Sequence, residues 1–359
     1  MKKVLIIGNL ASPLIRDRVL LSKRTGYNVL VLDFYNVSVK SIDGVRIKTF
    51  VNNRVLIKLL APFLLIYYIA VYKPNVIHVH WALQDFNSFV LIWLKNVIVS
   101  TMGSDIMPEV KHDFIRVFFL KLLLKKSKYV TSKSLYMKKV LLEHYDISDK
   151  KIKILKWGLD KIFFKEYKKE NFLNLNISRH KKIFLCLRAM QPLYRKQEIL
   201  DAFIKYKKVS GSTSVLIVSK FSADKKYLAK IEETISKSDC RNDIFLIDTV
   251  EHHQIPRLLN YVDYIVMFPV SDGMPQSLYE SMVFGKFLIV PELDHYKEIL
   301  IHKKNAYFAD ELTLVDAFNF AEYKSDKIIY ERFNKKYAKY FLTQDKQIMI
   351  LKYLYDQFK

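Results

Sequence analysis

Short apolar runs rich in Val, Ile and Leu recur along the chain, bounded by polar or turn-forming residues. In the first half they are KVLIIG (3–8), NVLVLDF (28–34), VIHVHW (76–81), NVIVST (96–101) and KYVTSK (128–133). In the second half they are KIFLCL (182–187), TSVLIVS (213–219), DIFLID (243–248), DYIVMFP (263–269) and FLIVP (287–291). Stretches with helical spacing separate them. Such alternation is the mark of parallel strands joined by crossover helices. It occurs twice, so the expected fold is α/β, with two doubly wound, Rossmann-like parallel sheets. Residues 153–176 are polar, Lys-rich and aromatic with no clean period, and mark the boundary. The expected division is a first domain over 1–160, a second over 161–340, and a C-terminal helix over 341–359 able to pack back on the first domain. In open sheets of this class, ligands bind beyond the carboxyl ends of the strands. Two facing domains would place a cleft there, so residues just after each strand are the functional candidates.

Two segments bear on membranes. LLAPFLLIYYIAVY (59–72) carries no charge. It is shorter than the roughly 20 residues that span a bilayer, and Pro62 sits near its start, so a buried or interfacial helix is expected. Residues 113–130 interleave Phe114, Phe118, Phe119 and Leu122–Leu124 with Arg116, Lys121, Lys125, Lys126 and Lys128. Two readings stay open: a basic amphipathic helix lying on an anionic membrane surface, or a core helix with a solvated basic edge. The opening MKKVLIIGNL has too short an apolar run, Val4–Ile7, to read as a signal peptide, and a strand followed by a turn explains it better.

Composition narrows the classes. A chain of 359 residues suits two domains, and 51% hydrophobic content excludes a disordered chain. The two cysteines, Cys186 and Cys240, lie far apart, which argues against a disulfide framework and fits a reducing cytosol. A net charge of +23 implies an anionic partner: nucleic acid, anionic lipid or a phosphate-rich substrate. No Gly-x-Gly-x-x-Gly fingerprint, P-loop, Gly-x-Ser-x-Gly elbow or RNA-binding aromatic signature is present. His252 and His253 lack companions in metal-site spacing and are expected in a solvated loop.

The segment FPVSDGMPQSLYESMVFGKFLIVP (268–291) carries the chemistry. It reads as the end of a buried strand, a loop, a helix ended by Gly285, and the next strand. Pro275 suits the first turn of that helix. Asp272, in the loop, can accept hydrogen bonds from sugar hydroxyls, and Gly273 permits close approach of the backbone to a ligand. Backbone N–H groups at Gln276, Ser277 and Leu278 form a helix start suited to a diphosphate. Glu280, over a turn further in, can take both hydroxyls of a ribose. Gly273, Met274, Pro275, Gln276, Ser277 and Glu280 are thus the candidate nucleotide-sugar ligands. The alternative has Asp272 as a turn residue and Glu280 as a surface helix acid.

Asp272-x7-Glu280 followed by SMVFGK resembles the E-x7-E motif of retaining glycosyltransferases of the large GT-B family 4, which usually read E-G-x-P…E-A-M-A-x-G. KPNVIHVHW (73–81) resembles the family's KPDVIHAHW, and STMGSDI (100–106) its xTxHGSDI. KIKILKWGLDKIFF (151–164) is similar to the element that precedes the second domain, and FLCLRAMQPLYRKQEILDAFI (184–204) to that domain's opening. The resemblance implies an Arg and a Lys on the pyrophosphate after the first strand of the second domain. Arg188 takes the first place; Lys196 takes the second, with Arg195 as its rival. Prepositioned cations of this kind offset charge that develops on the leaving group. In the first domain Met102 stands where the family often has a His before Gly-Ser-Asp. The acceptor-side candidates are Asp105, which could instead serve an adjacent loop, and His80, which could instead be a structural strand residue. GNLASPLIRDR (8–18) resembles the xSPxxxR form of the first loop, adding Ser12 and Arg16, the latter alternatively a solvated helix-start residue.

The expectation is a GT-B glycosyltransferase, retaining, with no metal, no cofactor and no nucleic-acid partner. The donor is a nucleotide diphosphate sugar. The acceptor is a lipid-linked glycan of a bacterial surface polysaccharide such as O-antigen or capsule. The enzyme would be cytoplasmic and peripheral on the inner face of the membrane, with domain closure assembling the site. Catalytic roles fall to Arg188, Lys196 and Asp272. The alternative is a non-catalytic GT-B protein that binds glycan or nucleotide; a nucleic-acid binder rests on charge alone.

Overall fold

The computed structural model describes residues 2–34, 41–50, 53–108, 110, 112–171, 173–178 and 180–358. The chain forms two compact units, one of Met1–Gly158 with Gln344–Lys359 and one of Leu159–Thr343.

The first unit holds strands β1 (Lys3–Ile7), β2 (Asn28–Asp33), β3 (Arg46–Thr49), β4 (Val76–His80), β5 (Val97–Ser100), β6 (Tyr129–Ser132) and β7 (Ile152–Ile154). Every pairing is parallel, in the order β3-β2-β1-β4-β5-β6-β7. The helices that connect them are α1 (Pro13–Arg24), α2 (Arg54–Tyr72), α3 (Asn87–Leu91), α4 (Phe114–Lys126) and α5 (Leu135–Tyr145). Side-chain caps fix several of these starts: Asn53 accepts from the backbone of Val55 and Leu56, Asp113 from Arg116 and Ser134 from Met137. β4 is buried at all five positions, as a central parallel strand covered on both faces must be.

Residues 59–72 prove to be the greater part of a longer helix. α2 runs over 19 residues, and its stretch Val55–Tyr72 is long and apolar enough to cross a membrane by length and composition, though only 22% of it is buried. It does not cross one within this fold. The strands it connects, β3 and β4, lie in one sheet, and its Ile57, Ala61 and Leu65 pack into the core. α4 has one covered side and one open one. Leu120, Leu123 and Leu124 are buried, whereas Phe114, Ile115 and Phe118 stand exposed beside the lysines.

The second unit holds β8 (Ile183–Cys186), β9 (Val215–Ser219), β10 (Ile244–Ile247), β11 (Tyr264–Val266), β12 (Phe287–Pro291) and β13 (Ala306–Ala309). This sheet is also wholly parallel, in the order β10-β9-β8-β11-β12-β13. Its helices are α6 (Lys196–Ser210), α7 (Lys225–Ser236), α8 (Ile255–Tyr261), α9 (Gln276–Val283), α10 (Leu314–Tyr323) and α11 (Lys327–Phe341). The two-residue period of the strands sorts the core. Ile183 and Leu185 face the layer of Leu258, Leu278 and Met282, and Phe184 and Cys186 face that of Phe203, Ile231 and Phe318. A last helix, α12 (Gln344–Asp356), belongs to the first unit. Its Leu351, Leu354 and Tyr355 share a core cluster with Val19 and Tyr27, and the Tyr355 hydroxyl meets Ser22 Oγ at 2.9 Å and His78 Nδ1 at 2.7 Å.

Strand order reverses between β1 and β4 in the first sheet and between β8 and β11 in the second. At such a reversal the connections leave in opposite directions, and a crevice opens beyond the carboxyl ends of the two central strands.

Candidate active site

In the second unit that crevice is lined from two sides. Arg188 follows β8, and the loop bearing Asp272 follows β11. Arg188 Nη2 donates to Asp272 Oδ2 at 2.7 Å and Nη1 to Ser277 Oγ at 3.2 Å. Its guanidinium lies 4.5 Å from the Tyr194 ring centre. Burial works against the charge, but Asp272 and the phenols of Tyr194 and Tyr296 outweigh it and raise the Arg188 pKa. The Arg188 Nε is buried with no hydrogen-bond partner among the described residues.

Asp272 divides its oxygens. Oδ2 receives Arg188, and Oδ1 receives the backbone N–H of Gly273 at 2.7 Å. The turn that follows departs from the sequence reading at Pro275 and at the Leu278 N–H. The left-handed backbone falls on Met274 (φ 65°), a buried residue, and not on Gly273. That conformation places a Cβ close to the next carbonyl and costs about 1–2 kcal/mol, so the surrounding packing holds it. Pro275 is the residue before the helix, in extended backbone, and α9 begins at Gln276. Its carbonyl accepts the N–H of Leu278 at 3.2 Å, so that donor, expected at the diphosphate, is taken. No side chain caps the start of α9. Gln276 and Ser277 stand in its first turn, and Ser277 meets Arg188.

Glu280 is buried within α9, and His252 Nε2 meets its Oε1 at 3.3 Å. This overturns the expectation that His252 belongs to a solvated loop. His253 does stand exposed, beside Glu251, but His252 packs on Phe163, ring centres 5.4 Å apart, and reaches the helix acid. No sequence spacing links positions 252 and 280; folding alone joins them. Among the described residues no cluster of His, Cys, Asp and Glu has the form of a metal site.

The basic candidates separate. Lys196 is buried at the first position of α6, its Nζ on the carbonyl of Ser219. Burial lowers its pKa, Cys186 opposes that, and the Arg188 charge adds to it. Its ammonium is held at the carboxyl end of β9. Arg195 has a left-handed backbone (φ 44°), forms an ion pair with Glu311 at 3.1 Å and lies 5.2 Å from the Phe268 ring centre.

The first unit presents its own constellation beyond β1 and β4. Ser12 precedes α1 without a side-chain cap bond, and Arg16 is exposed. Arg18, two residues on, is the buried cation. It lies against the Met102 sulfur and 4.5 Å from the Trp157 ring centre. Burial pulls its pKa down to about 9, with Asp105 and Asp17 opposing. The two choices left for Asp105 resolve toward the loop: its oxygens take the backbone N–H groups of Ala82 (2.8 Å), Met102 (2.9 Å) and Gly103 (2.9 Å). His78 is fully bonded, to Tyr355 and to Ser100 Oγ at 2.7 Å. His80 is buried with both ring nitrogens unbonded among the described residues, and burial with neighbouring His78 and Arg18 holds its pKa well down. It is a neutral imidazole at the end of β4.

Residues 167–339 match the family described as glycosyl transferases group 1. No curated protein matches the chain in sequence. In structure the chain is similar to a glycosyltransferase from Rickettsia africae ESF-5, at 14% identity and a TM-score of 0.78 over 99% of this chain and 98% of that one. It is similar also to Alr3699/HepE of Anabaena in complex with UDP-glucose, at 12% identity and a TM-score of 0.82 over 99% of this chain and 100% of that one. WaaG, a glycosyltransferase involved in lipopolysaccharide biosynthesis, aligns at 10% identity and a TM-score of 0.76 over 97% of this chain and 98% of that one.

Proposed function

The chain is a glycosyltransferase of the GT-B fold, and on that premise we propose that it transfers a sugar, with retention, from a nucleotide diphosphate donor to a hydroxyl of a lipid-linked glycan. The observation that carries this is the Arg188–Asp272–Ser277 cluster at the β8/β11 reversal, with α9 and its buried Glu280 leading away from it.

Arg188 and Lys196 offset charge on the departing diphosphate, with Arg195 as a reserve cation. Gly273, Met274 and Pro275 shape the loop, and Gln276 and Ser277 bring the start of α9 to the phosphates. Asp272 takes sugar hydroxyls, and Glu280 takes the ribose. The bond from the anomeric carbon to the β-phosphate oxygen breaks while the acceptor oxygen bonds to that carbon on the same face. The acceptor's proton passes to the departing phosphate, so the step needs no nucleophile from the protein. Ser12, Arg16 and His80 are the acceptor-side candidates.

HepE's complex with UDP-glucose makes uridine diphosphate sugars the first donors to test. The role given for WaaG supports a bacterial surface polysaccharide, O-antigen or capsule, as the product. With the net charge of +23, that favours work at the inner face of an anionic membrane, as a peripheral protein. The test is a panel of nucleotide sugars scored for a raised melting temperature and for release of nucleoside diphosphate, alongside Glu280→Ala. The reading stands if one donor does both and the variant loses both. It falls if no nucleotide sugar stabilises the chain or is turned over.

A further inference from the structure

Among the described elements, α2 carries the most exposed large apolar side chains, and the reaction leaves its outward face unused. Leu59, Phe63, Ile66 and Tyr67 are exposed on it, Phe63 at 71%. The feature extends beyond one helix. Trp93 (82% exposed) follows α3, and Phe114 (83%) begins α4. Asp85 ties the three helices together, receiving Lys58 of α2 at 3.3 Å and Arg116 of α4 at 3.1 Å just ahead of α3. A run of touching rings continues the link: Phe86 to Phe89 (6.3 Å), Phe89 to Phe119 (4.3 Å) and Phe119 to Phe118 (5.4 Å). Contiguous exposed apolar surface of this kind marks a binding surface.

The charges say what it meets. Residues 54–73, 86–96 and 114–126 contain no Asp or Glu. Lys58, Lys95, Lys121, Lys125 and Lys126 stand exposed around the apolar residues. In a two-fold dimer, self-association through this face would set two copies of the same basic surface against each other, with no carboxylates from these helices to answer the lysines. A bilayer of anionic lipid answers both features. Its interfacial layer takes Trp, Tyr and Phe, and its headgroups take lysines whose aliphatic stems lie along the apolar surface.

We propose that the exposed faces of α2, α3 and α4 form one docking surface that inserts Phe63, Ile66, Tyr67, Trp93, Phe114 and Phe118 into the interfacial layer of an anionic phospholipid bilayer. This rests on the membrane placement given above and deepens it. The attachment is chiefly apolar insertion by α2, with the lysines steering it; the basic edge of α4 is not the main anchor. Binding by insertion survives salt, whereas attraction through lysines alone is screened.

The test is flotation of the full-length chain with vesicles of phosphatidylcholine and phosphatidylglycerol, at low salt and at about 0.5 M NaCl, where exposed charge pairs are largely screened. Binding is expected at both, stronger with phosphatidylglycerol at low salt. Trp93 emission should shift to the blue on binding, and Trp93→Phe should remove that shift. Phe63→Ser with Ile66→Ser, both at exposed positions, should weaken partitioning at least about tenfold, the scale of losing two large apolar side chains from lipid. Full release at high salt, equal flotation of the double variant, or an unshifted Trp93 emission would each overturn the proposal. So would a stable dimer in sedimentation that the same double substitution disperses. Donor hydrolysis without vesicles separates the two readings. The double variant should match the unaltered chain there. An unaltered chain that hydrolyses donor but does not float sinks the docking surface alone, and one that floats without any turnover sinks the reaction alone.

Discussion

Arg188 and Asp272, 84 positions apart, form a 2.7 Å ion pair across the β8/β11 reversal. The cation assigned to the diphosphate is therefore held in place by the acid assigned to the sugar. Each positions the other, and a donor has to share both. Arg188→Lys keeps the charge but loses the planar fork that reaches Asp272 and Ser277 together. Turnover should fall by about 100-fold, the scale of removing one oriented donor to a developing anion. Asp272→Asn keeps the shape but removes the counter-charge of a largely buried arginine. It should lower both turnover and melting temperature, and unchanged steady-state kinetics for either variant would remove the pair from the mechanism.

Glu280 and His252 form the second relationship that depends on folding. If Glu280 holds the ribose, Glu280→Ala should raise the Kd for nucleoside diphosphate by about 10–100-fold, the range for losing hydrogen bonds to a charged acceptor. His252→Ala leaves the acid in place but loosely oriented, so a smaller rise of about tenfold is expected, mainly in KM for the donor. Calorimetric titration with the free nucleotide reads both. A His252 variant that binds as the unaltered chain does would make the histidine incidental.

The first unit should lose stability on mild acidification. Burial, with Arg18 nearby, pulls the His78 pKa down to about 3, and His80 is held well below its ordinary value. In the unfolded chain both take up protons near pH 6.5; in the folded chain His78 does not until about pH 3. Between those values the unfolded state binds more protons, so stability falls as pH falls. The slope is about 1.4 kcal/mol per pH unit for each histidine. Urea unfolding at pH 7 and pH 5 measures it, and His78→Gln should flatten the dependence. A chain equally stable at both values would contradict this environment.

Gly285 ends α9 with φ 63°, and a Cβ there would lie 2.6 Å from Glu331 Cγ and 3.2 Å from the Glu331 Cα. Gly285→Ala should therefore destabilise by about 2 kcal/mol, combining left-handed backbone strain with the displacement of α11. The melting temperature of the variant is the readout.

The alternation of buried runs and helical spacing determined the fold class, because strands covered on both faces must be apolar throughout. The stretch 268–291 determined most of the donor-side candidates, because strand, loop and helix there are adjacent in sequence and need no distant partner. Helix phase is where the local pattern stopped. Arg16 and Arg18 both suit the start of α1, and only packing against Trp157 and Met102 chose Arg18 for burial. The same holds for His252, whose partner lies 28 residues away, and for Met274, whose backbone is held by its surroundings. α2 is the clearest case. Its sequence reads as interior or interface; tertiary structure decided, by seating Ile57, Ala61 and Leu65 on the sheet and leaving Phe63 and Ile66 outside. Local spacing fixes what a segment can bury, but which face is covered depends on elements brought in from elsewhere in the chain.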